Sequence, residues 1–310
     1  MKFFILAMLL ASLLIACGPA AVTSAPVSDD KLAEILARGT LVIATDEDYA
    51  PQSKLIESSA PAAGTKCAPT QYTANQFTGF DVATAVTIAD ELGVEACFVT
   101  PPWSQLIAGN WQNNWDVHVG SVAITFARME SLYFSQPYYA TPTVALVHVD
   151  NTSIEKIEDL SGKRIGVCAG CNIEAYLNMD LKMPGQEIQY RIQNAKISAY
   201  ENEPPALDDL AQGDGVILDS VLTLLPVARS AIESGKPFKM LDEPIIFAYA
   251  AITLDRINNR SPERLLAEIT RIVQEMHSDG RLKNMSMQYI GIDLTQEAAA
   301  FDLSKIEQLP

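Results

Sequence analysis

Apolar and polar positions along the chain follow two periods, one of strands and one of helices. Short apolar runs read as strands: Leu41-Val42-Ile43-Ala44, Val94–Val99, Val117–Ile124, Val144–Val149, Arg164–Val167, Gly215–Leu218 and Ile245–Leu254. Between them lie segments with helical spacing. Lys31–Arg38 has Asp29 or Asp30 as its cap and Gly39 as its stop. Residues 81–92 end at Gly93, and Trp103–Gly109, Glu155–Leu160, Ile173–Leu177 and Pro204–Gln212 are shorter. Ser220–Ser234 reads as a helix kinked at Pro226, and Pro262–His277 and Gly280–Tyr289 close the pattern. Strands alternating with helices predict an α/β architecture with mostly parallel sheets. Gln52–Phe77 is polar, aperiodic and rich in Pro and Ala, and reads as an ordered surface insertion. No tandem repeat of short period is present.

The first residues follow a different rule. Lys2 precedes an apolar run, Phe3–Ala16, broken only by Ser12. As a helix that run spans about 21 Å, short of a hydrocarbon core of about 30 Å, so it reads as the h-region of a signal peptide (1–16). It ends in Leu14-Ile15-Ala16-Cys17, which resembles a bacterial lipobox. The resemblance implies cleavage before Cys17 and lipidation of its thiol, leaving 310 − 16 = 294 residues and, with Lys2 lost, a formal charge of −17 instead of −16. An ordinary secretory leader with an incidental cysteine is the alternative. Residues 17–30 are small, polar and Pro-bearing, and read as a flexible tether. No other run is long and apolar enough to span a membrane, so the remainder is expected outside the cytoplasm, held by acyl groups alone.

Composition narrows the function classes. Asp and Glu number 38 against 22 Lys and Arg, for a formal charge of −16. This excludes a basic footprint for nucleic acid. Apolar residues make up 48% of 310 residues, enough for sizeable cores and a prior of about two domains. A disordered chain, a collagen-like chain and a small disulfide scaffold are ruled out.

Four motifs occur in order: Thr45-Asp46 with Tyr49-Ala50-Pro51, Gly79-Phe80-Asp81-Val82, Ile124-Thr125-Phe126-Ala127-Arg128, and Gly162-Lys163-Arg164-Ile165-Gly166-Val167. Together they resemble the extracellular solute-binding proteins that feed amino-acid ABC importers, over about residues 38–294. The resemblance implies the two-lobe type II periplasmic-binding-protein fold, its lobes joined by two crossing strands with ligand in the cleft. Lobe one would comprise 31–142 plus 246–296, lobe two 143–245, and 297–310 a C-terminal tail. The crossings would lie near Thr141-Pro142-Thr143 and Ile246–Ala250. A monomer is expected that closes by a hinge motion on an extracellular amino acid and presents it to a permease and its cytoplasmic ATPase. The resemblance implies no cofactor and no catalytic residue.

A zwitterionic ligand needs a guanidinium fork for its carboxylate and an acid for its ammonium group. Arg128 matches the family's arginine in the Ile-Thr-x-x-Arg motif, against the alternative of a surface pair with Glu130. Thr125 would add its hydroxyl, and Ser121 occupies the loop that faces the ligand in this family. Asp219, read as following the strand Gly215–Leu218, matches the family's ammonium-binding acid, with a helix-cap role as the alternative. Strand carboxyl ends are where α/β folds place ligands. The loop Ala169–Ile173 would offer backbone N–H groups and Asn172. Tyr49 and Trp103 match positions flanking the ligand side chain. Asp46 matches one that contacts a cationic side chain. With Glu47, Asp48 and Glu174 nearby, this favours a polar or basic amino acid. Ala123 departs from the family pattern, since many relatives have a serine there.

With Cys17 lipidated, Cys67, Cys97, Cys168 and Cys171 remain, and four thiols allow three pairings. Cys168 and Cys171 form a Cys-x-x-Cys between strand and helix, a spacing that resembles a thioredoxin-type redox motif. The binding-protein pattern around it favours a structural disulfide stiffening the ligand loop. Cys67–Cys97 would then pin the insertion and stabilise by roughly 3–4 kcal/mol. A zinc site is not expected, because His118, His148 and His277 do not stand at metal-ligand spacing to these thiols. No Gly-x-Ser-x-Gly elbow or P-loop is present. The competing class is an enzyme on the same fold, a periplasmic dehydratase of prephenate-like acids, with Glu174 as its general acid.

Overall fold

The computed structural model describes residues 30–306. The expected leader, the lipidated Cys17 and all of the tether but Asp30 lie outside the described residues.

The first half of the fold runs α1 (Lys31–Arg38), β1 (Thr40–Ala44), β2 (Asp48–Tyr49), β3 (Ser53–Leu55), β4 (Tyr72–Thr73), β5 (Phe77–Thr78), α2 (Phe80–Glu91), β6 (Glu95–Val99), α3 (Trp103–Ala108), β7 (Val117–Ala123) and α4 (Phe126–Met129). Local signals set these ends. The Asp30 carboxylate accepts the Leu32 N–H, and left-handed Gly39 donates its N–H to Ile35 O. Next comes β8 (Leu132–His148), then β9 (Arg164–Cys168), α5 (Asn172–Leu177), β10 (Lys196–Tyr200), α6 (Glu203–Leu210), β11 (Ser220–Leu224), α7 (Leu225–Glu233), β12 (Phe238–Met240) and β13 (Phe247–Asp255). Three helices follow: α8 (Glu263–Ser278), α9 (Arg281–Tyr289) and α10 (Gln296–Ala299). On α8 the buried Leu265, Ile269, Ile272, Val273 and Met276 form one apolar stripe at helical spacing.

A single large sheet runs β10-β9-β11-β8-β13-β7-β1-β6-β4, with β12 also on β8. It is mixed, which corrects the expectation of mostly parallel sheets. β1 pairs in parallel with β6 and β7, and β9 with β10 and β11, while β8 and β13 run antiparallel to their neighbours. Strand β8 spans both lobes. Its first part pairs with β13, as far as Pro142 opposite Phe247, and its second part with β11, from Thr143 opposite Leu224. Apolar clusters cover both sheet faces on each side of that point. The two-lobe fold is therefore built around one long shared strand.

The differences from the expected elements have local causes. β8 begins twelve residues before Val144, because Pro137 and Pro142 break the apolar pattern without ending the strand; the register against β13 shifts beside Pro137. Gly215–Leu218 is not a strand. Gly213 and Gly215 adopt positive φ angles there and Val216 is 61% exposed, so the run is a turn. The strand is Ser220–Leu224, all buried. Pro226 sits in the first turn of α7 rather than kinking a longer helix. Glu155–Leu160 contains only a short 3-10 turn at Ile157–Leu160, and β10 has no apolar run to announce it. Residues beyond 296 are packed: Phe301 is buried 4.8 Å from the Tyr249 ring, and Gln136 Nε2 donates to Ala298 O at 2.7 Å.

Cys67 is bonded to Cys97 on β6, tying the insertion to lobe one. Cys168 is bonded to Cys171 between β9 and α5.

Candidate functional site

Carboxyl ends of parallel strands from both lobes face one cavity. Its lining includes Asp46 and Tyr49 after β1, Trp103 on α3, His118, Gly120 and Ser121 on β7, and Arg128 on α4. The other lobe adds Cys168, Cys171 and Asn172 from the β9–α5 turn, Glu201–Glu203 after β10, and Leu224 at the end of β11. The lobes touch across it, since Ser104 Oγ donates to Glu201 and Phe126 N to Lys182 O.

Arg128 dominates the site. It is 7% exposed. Nη1 donates to Ala123 O at 2.9 Å and Nη2 to Gly170 O in the other lobe at 3.1 Å. The guanidinium lies 5.2 Å from the Trp103 ring. Among the described residues no carboxylate pairs with it, so the Glu130 alternative does not hold. Two of its five N–H donors are committed, one on each Nη, which leaves three. Burial alone lowers its pKa to about 10, so it stays charged at neutral pH. Beside it, His118 is kept neutral. Burial first, and then the Arg128 charge, push its pKa down to about 3. Gly120 fits under this ring because a Cβ there would stand 2.3 Å from His118 Nε2.

The polar groups opposite complete a pattern of charge. Asn172 is 8% exposed and, among the described residues, its Nδ2 has no hydrogen-bond partner. Glu203 is 8% exposed and accepts from Thr223 Oγ1 at 2.9 Å. Burial pushes its carboxyl up to about 7; the Thr223 hydrogen bond opposes this and the Asp46 charge adds to it. Asp46 is also raised, by burial first. Burial, then the Glu203 charge, push the Tyr49 phenol well up. Four acids, Asp46, Asp48, Glu201 and Glu203, thus line a cavity with one guanidinium that no carboxylate pairs with among the described residues; of these, Asp46 and Glu203 are the two raised by burial.

Several residues singled out from sequence do not meet the cavity as expected. Asp219 is the main correction. It lies before β11, not after it, and its Oδ2 accepts the Arg164 backbone N–H at 2.7 Å while Oδ1 pairs with Arg164 Nη2 at 2.9 Å. The strand end that reaches the cavity is Leu224, and the lobe-two acids there are Glu201 and the buried Glu203. Thr125 caps α4, its Oγ1 accepting Arg128 N–H at 3.2 Å, and does not line the cavity. Ser121 lines it, but its hydroxyl donates to Asp81 Oδ2 at 2.7 Å and accepts from Tyr139 at 2.8 Å. Asp81 also takes the Tyr138 hydroxyl, at 2.7 Å. Burial raises this carboxyl to about 6 against those hydrogen bonds. Glu174, the acid of the dehydratase reading, accepts the Gly170 N–H at 2.6 Å and lies outside the cavity lining. Glu203 was missed because β10 was; its place after that strand and before Pro204-Pro205, at the start of a helix, was the available signal. Among the described residues no cluster of His, Cys, Asp and Glu is arranged to hold a metal ion.

The cavity can be set beside known proteins. The chain is 26% identical over 224 residues to the "Probable amino-acid-binding protein YxeM" of Bacillus subtilis (strain 168), covering 72% of this chain and 79% of that one. It is 26% identical over 268 residues to the "L-cystine-binding protein TcyJ" of Escherichia coli (strain K12), covering 86% and 88%. A crystal structure of the ancestral amino acid-binding protein AncCDT-1, described as a precursor of cyclohexadienyl dehydratase, superposes with a TM-score of 0.67 at 25% identity, covering 84% of this chain and all of that one. Residues 61–292 match the family profile, and the chain belongs to the bacterial extracellular solute-binding proteins, family 3.

Proposed function

We propose that this protein captures a free amino acid bearing a second cationic group and delivers it to an ABC permease with its cytoplasmic ATPase. The observation that carries the reading is Arg128: a buried guanidinium with free donors and no acid of the protein beside it among the described residues. A ligand carboxylate would complete it with two parallel hydrogen bonds, and the Asn172 amide would add a third donor. Glu203 and Asp46 would take the ligand's cationic groups. A basic amino acid fits this count. Cystine, with an ammonium and a carboxylate at each end, matches the two acids but needs a donor besides Arg128 for its second carboxylate; the name of the relative TcyJ supports that member of the class.

Capture would proceed by closure. Arg128 and Trp103 belong to one lobe and Asn172 and Glu203 to the other, so a bridging ligand adds contacts that the open state lacks. The hinge would lie where β8 changes partners, at Pro142–Thr143, and where the chain returns into β13 at Ile246–Phe247, with lobe one as 31–142 plus 246–296 and lobe two as 143–245. A lipid on Cys17 would anchor the protein to a membrane outside the cytoplasm. We assign a monomer and no resident cofactor.

The test is a thermal-shift screen with the twenty amino acids, L-cystine and prephenate, followed by calorimetry. A ligand at a hundred times its Kd adds about 2.7 kcal/mol to stability, a shift of several degrees. Selective shifts with arginine, lysine, histidine or cystine support the reading. No shift with any amino acid, or turnover of prephenate, rejects it.

A further inference from the structure

The Cys168–Cys171 bond has no part in the ligand contacts described above, yet both of its residues line the cavity. Cys171 is half-buried and also borders an outer groove between the lobes. The bond closes a turn of two residues, Ala169 and Gly170. That turn is where lobe two approaches Arg128: Gly170 O accepts from Nη2 at 3.1 Å, and its N–H donates to Glu174 at 2.6 Å. Gly170 holds a φ of +70°, and a Cβ there would stand 2.8 Å from Ile107 Cδ1 of lobe one. The turn therefore approaches the other lobe closely, at a glycine whose backbone a freed chain could also turn to other conformations. The other disulfide differs in both respects. Cys67 and Cys97 are 30 residues apart and lie outside this cavity.

We propose that Cys168–Cys171 is a redox-sensitive clasp of the cleft, which holds the Ala169–Gly170 turn against Arg128 when oxidised and loosens ligand capture when reduced. This rests on the cavity being the ligand site. The reductant is an external dithiol. One of its thiolates attacks the half-buried Cys171 Sγ, the Sγ–Sγ bond breaks, and Cys168 leaves as a thiolate and takes up a proton. The reductant's second thiolate resolves the mixed disulfide, and Cys171 leaves as a thiolate and is protonated in turn. The dithiol ends as its own disulfide, having supplied two electrons. Reduction frees the Gly170 carbonyl from its fixed place beside Nη2. Loss of one hydrogen bond to a charged group corresponds to about a tenfold change in affinity.

The experiment compares wild type, Cys168→Ser/Cys171→Ser and Cys67→Ser/Cys97→Ser, each with and without dithiothreitol. L-arginine binding is measured by calorimetry and amide hydrogen exchange is followed over 169–177. Reductant is expected to weaken arginine binding about tenfold in wild type and in the Cys67/Cys97 variant. The Cys168/Cys171 variant should bind as reduced wild type does and ignore the reductant. Affinity within twofold between oxidised and fully reduced protein overturns the proposal. If oxidised wild type binds no amino acid, the functional reading fails, and the clasp is judged on exchange alone. Faster exchange over 169–177 on reduction then supports it, and unchanged exchange overturns it.

Discussion

Two arginines of this protein are held alike and left in opposite electrostatic states. Arg128 in the cleft and Arg164 at the start of β9 each donate to two backbone carbonyls, Ala123 and Gly170 for the first, Gly215 and Val216 for the second. Arg164 is 38% exposed and has the Asp219 carboxylate on its fork. Arg128 is 7% exposed and has no acid among the described residues. Water would screen a bare charge at Arg164 and does so poorly at Arg128. The acid is thus supplied where it is needed less. The buried charge, which has no acid partner among the described residues, is the proposed place for a ligand anion.

The largest effect is expected from the cleft arginine. Arg128→Ala removes the charged fork, and arginine binding should weaken about a hundredfold or more, since each charge-assisted hydrogen bond contributes about 1.5–3 kcal/mol. Calorimetry giving an affinity within threefold of wild type would break the comparison. Glu203→Gln should act in two directions. It should weaken arginine binding about tenfold, for the loss of one charged partner. Its effect on the ligand-free protein follows from linkage. The folded pKa of Glu203 is raised from 4.5 to about 7, so its contribution to stability is full below about pH 4.5 and is lost as the pH rises through about 7. The glutamine variant lacks that loss and should be more stable than wild type at pH 8, by on the order of 3 kcal/mol at most. Thermal melts of both proteins at pH 4 and pH 8 check this, and equal midpoints at pH 8 would count against it. The smallest effect belongs to the paired arginine. Asp219→Asn breaks a half-exposed ion pair and should cost about 1 kcal/mol or less. Arginine affinity should stay within twofold, and a larger loss would return Asp219 to the site.

The same contrast shows how far the sequence could be read. Asp46, Tyr49, Trp103, Ser121, Arg128 and Asn172 stand far apart in the chain and meet at one cavity. Asp46, Tyr49 and Arg128 were legible because they sit in the quoted motifs, and Trp103, Ser121 and Asn172 because they match family positions on or beside the expected helices and strands. Asp219 was misplaced by a five-residue shift of one strand. Gly215–Leu218 and Ser220–Leu224 are both short apolar runs, and periodicity does not distinguish a buried run from an exposed one. Pro226 held the answer, because a helix that starts there leaves Ser220–Leu224 free to be the strand. Glu203 was hidden because β10 carries Lys196, Ser198 and Ala199 and is only half buried.

By itself the sequence determined the alternation of strands and helices over most of the chain, the glycine and proline punctuation, the four motifs and the acidic balance, since all of these act through neighbours in the chain. Only the tertiary structure decided which acid met which arginine. Ion pairs and cavities depend on distances between segments separated by tens of residues, and a shift of one strand moves a carboxylate from the cleft to the far edge of a lobe. Whether a charge is compensated is a property of the packed molecule, and here it separates a structural arginine from the one proposed to bind the ligand.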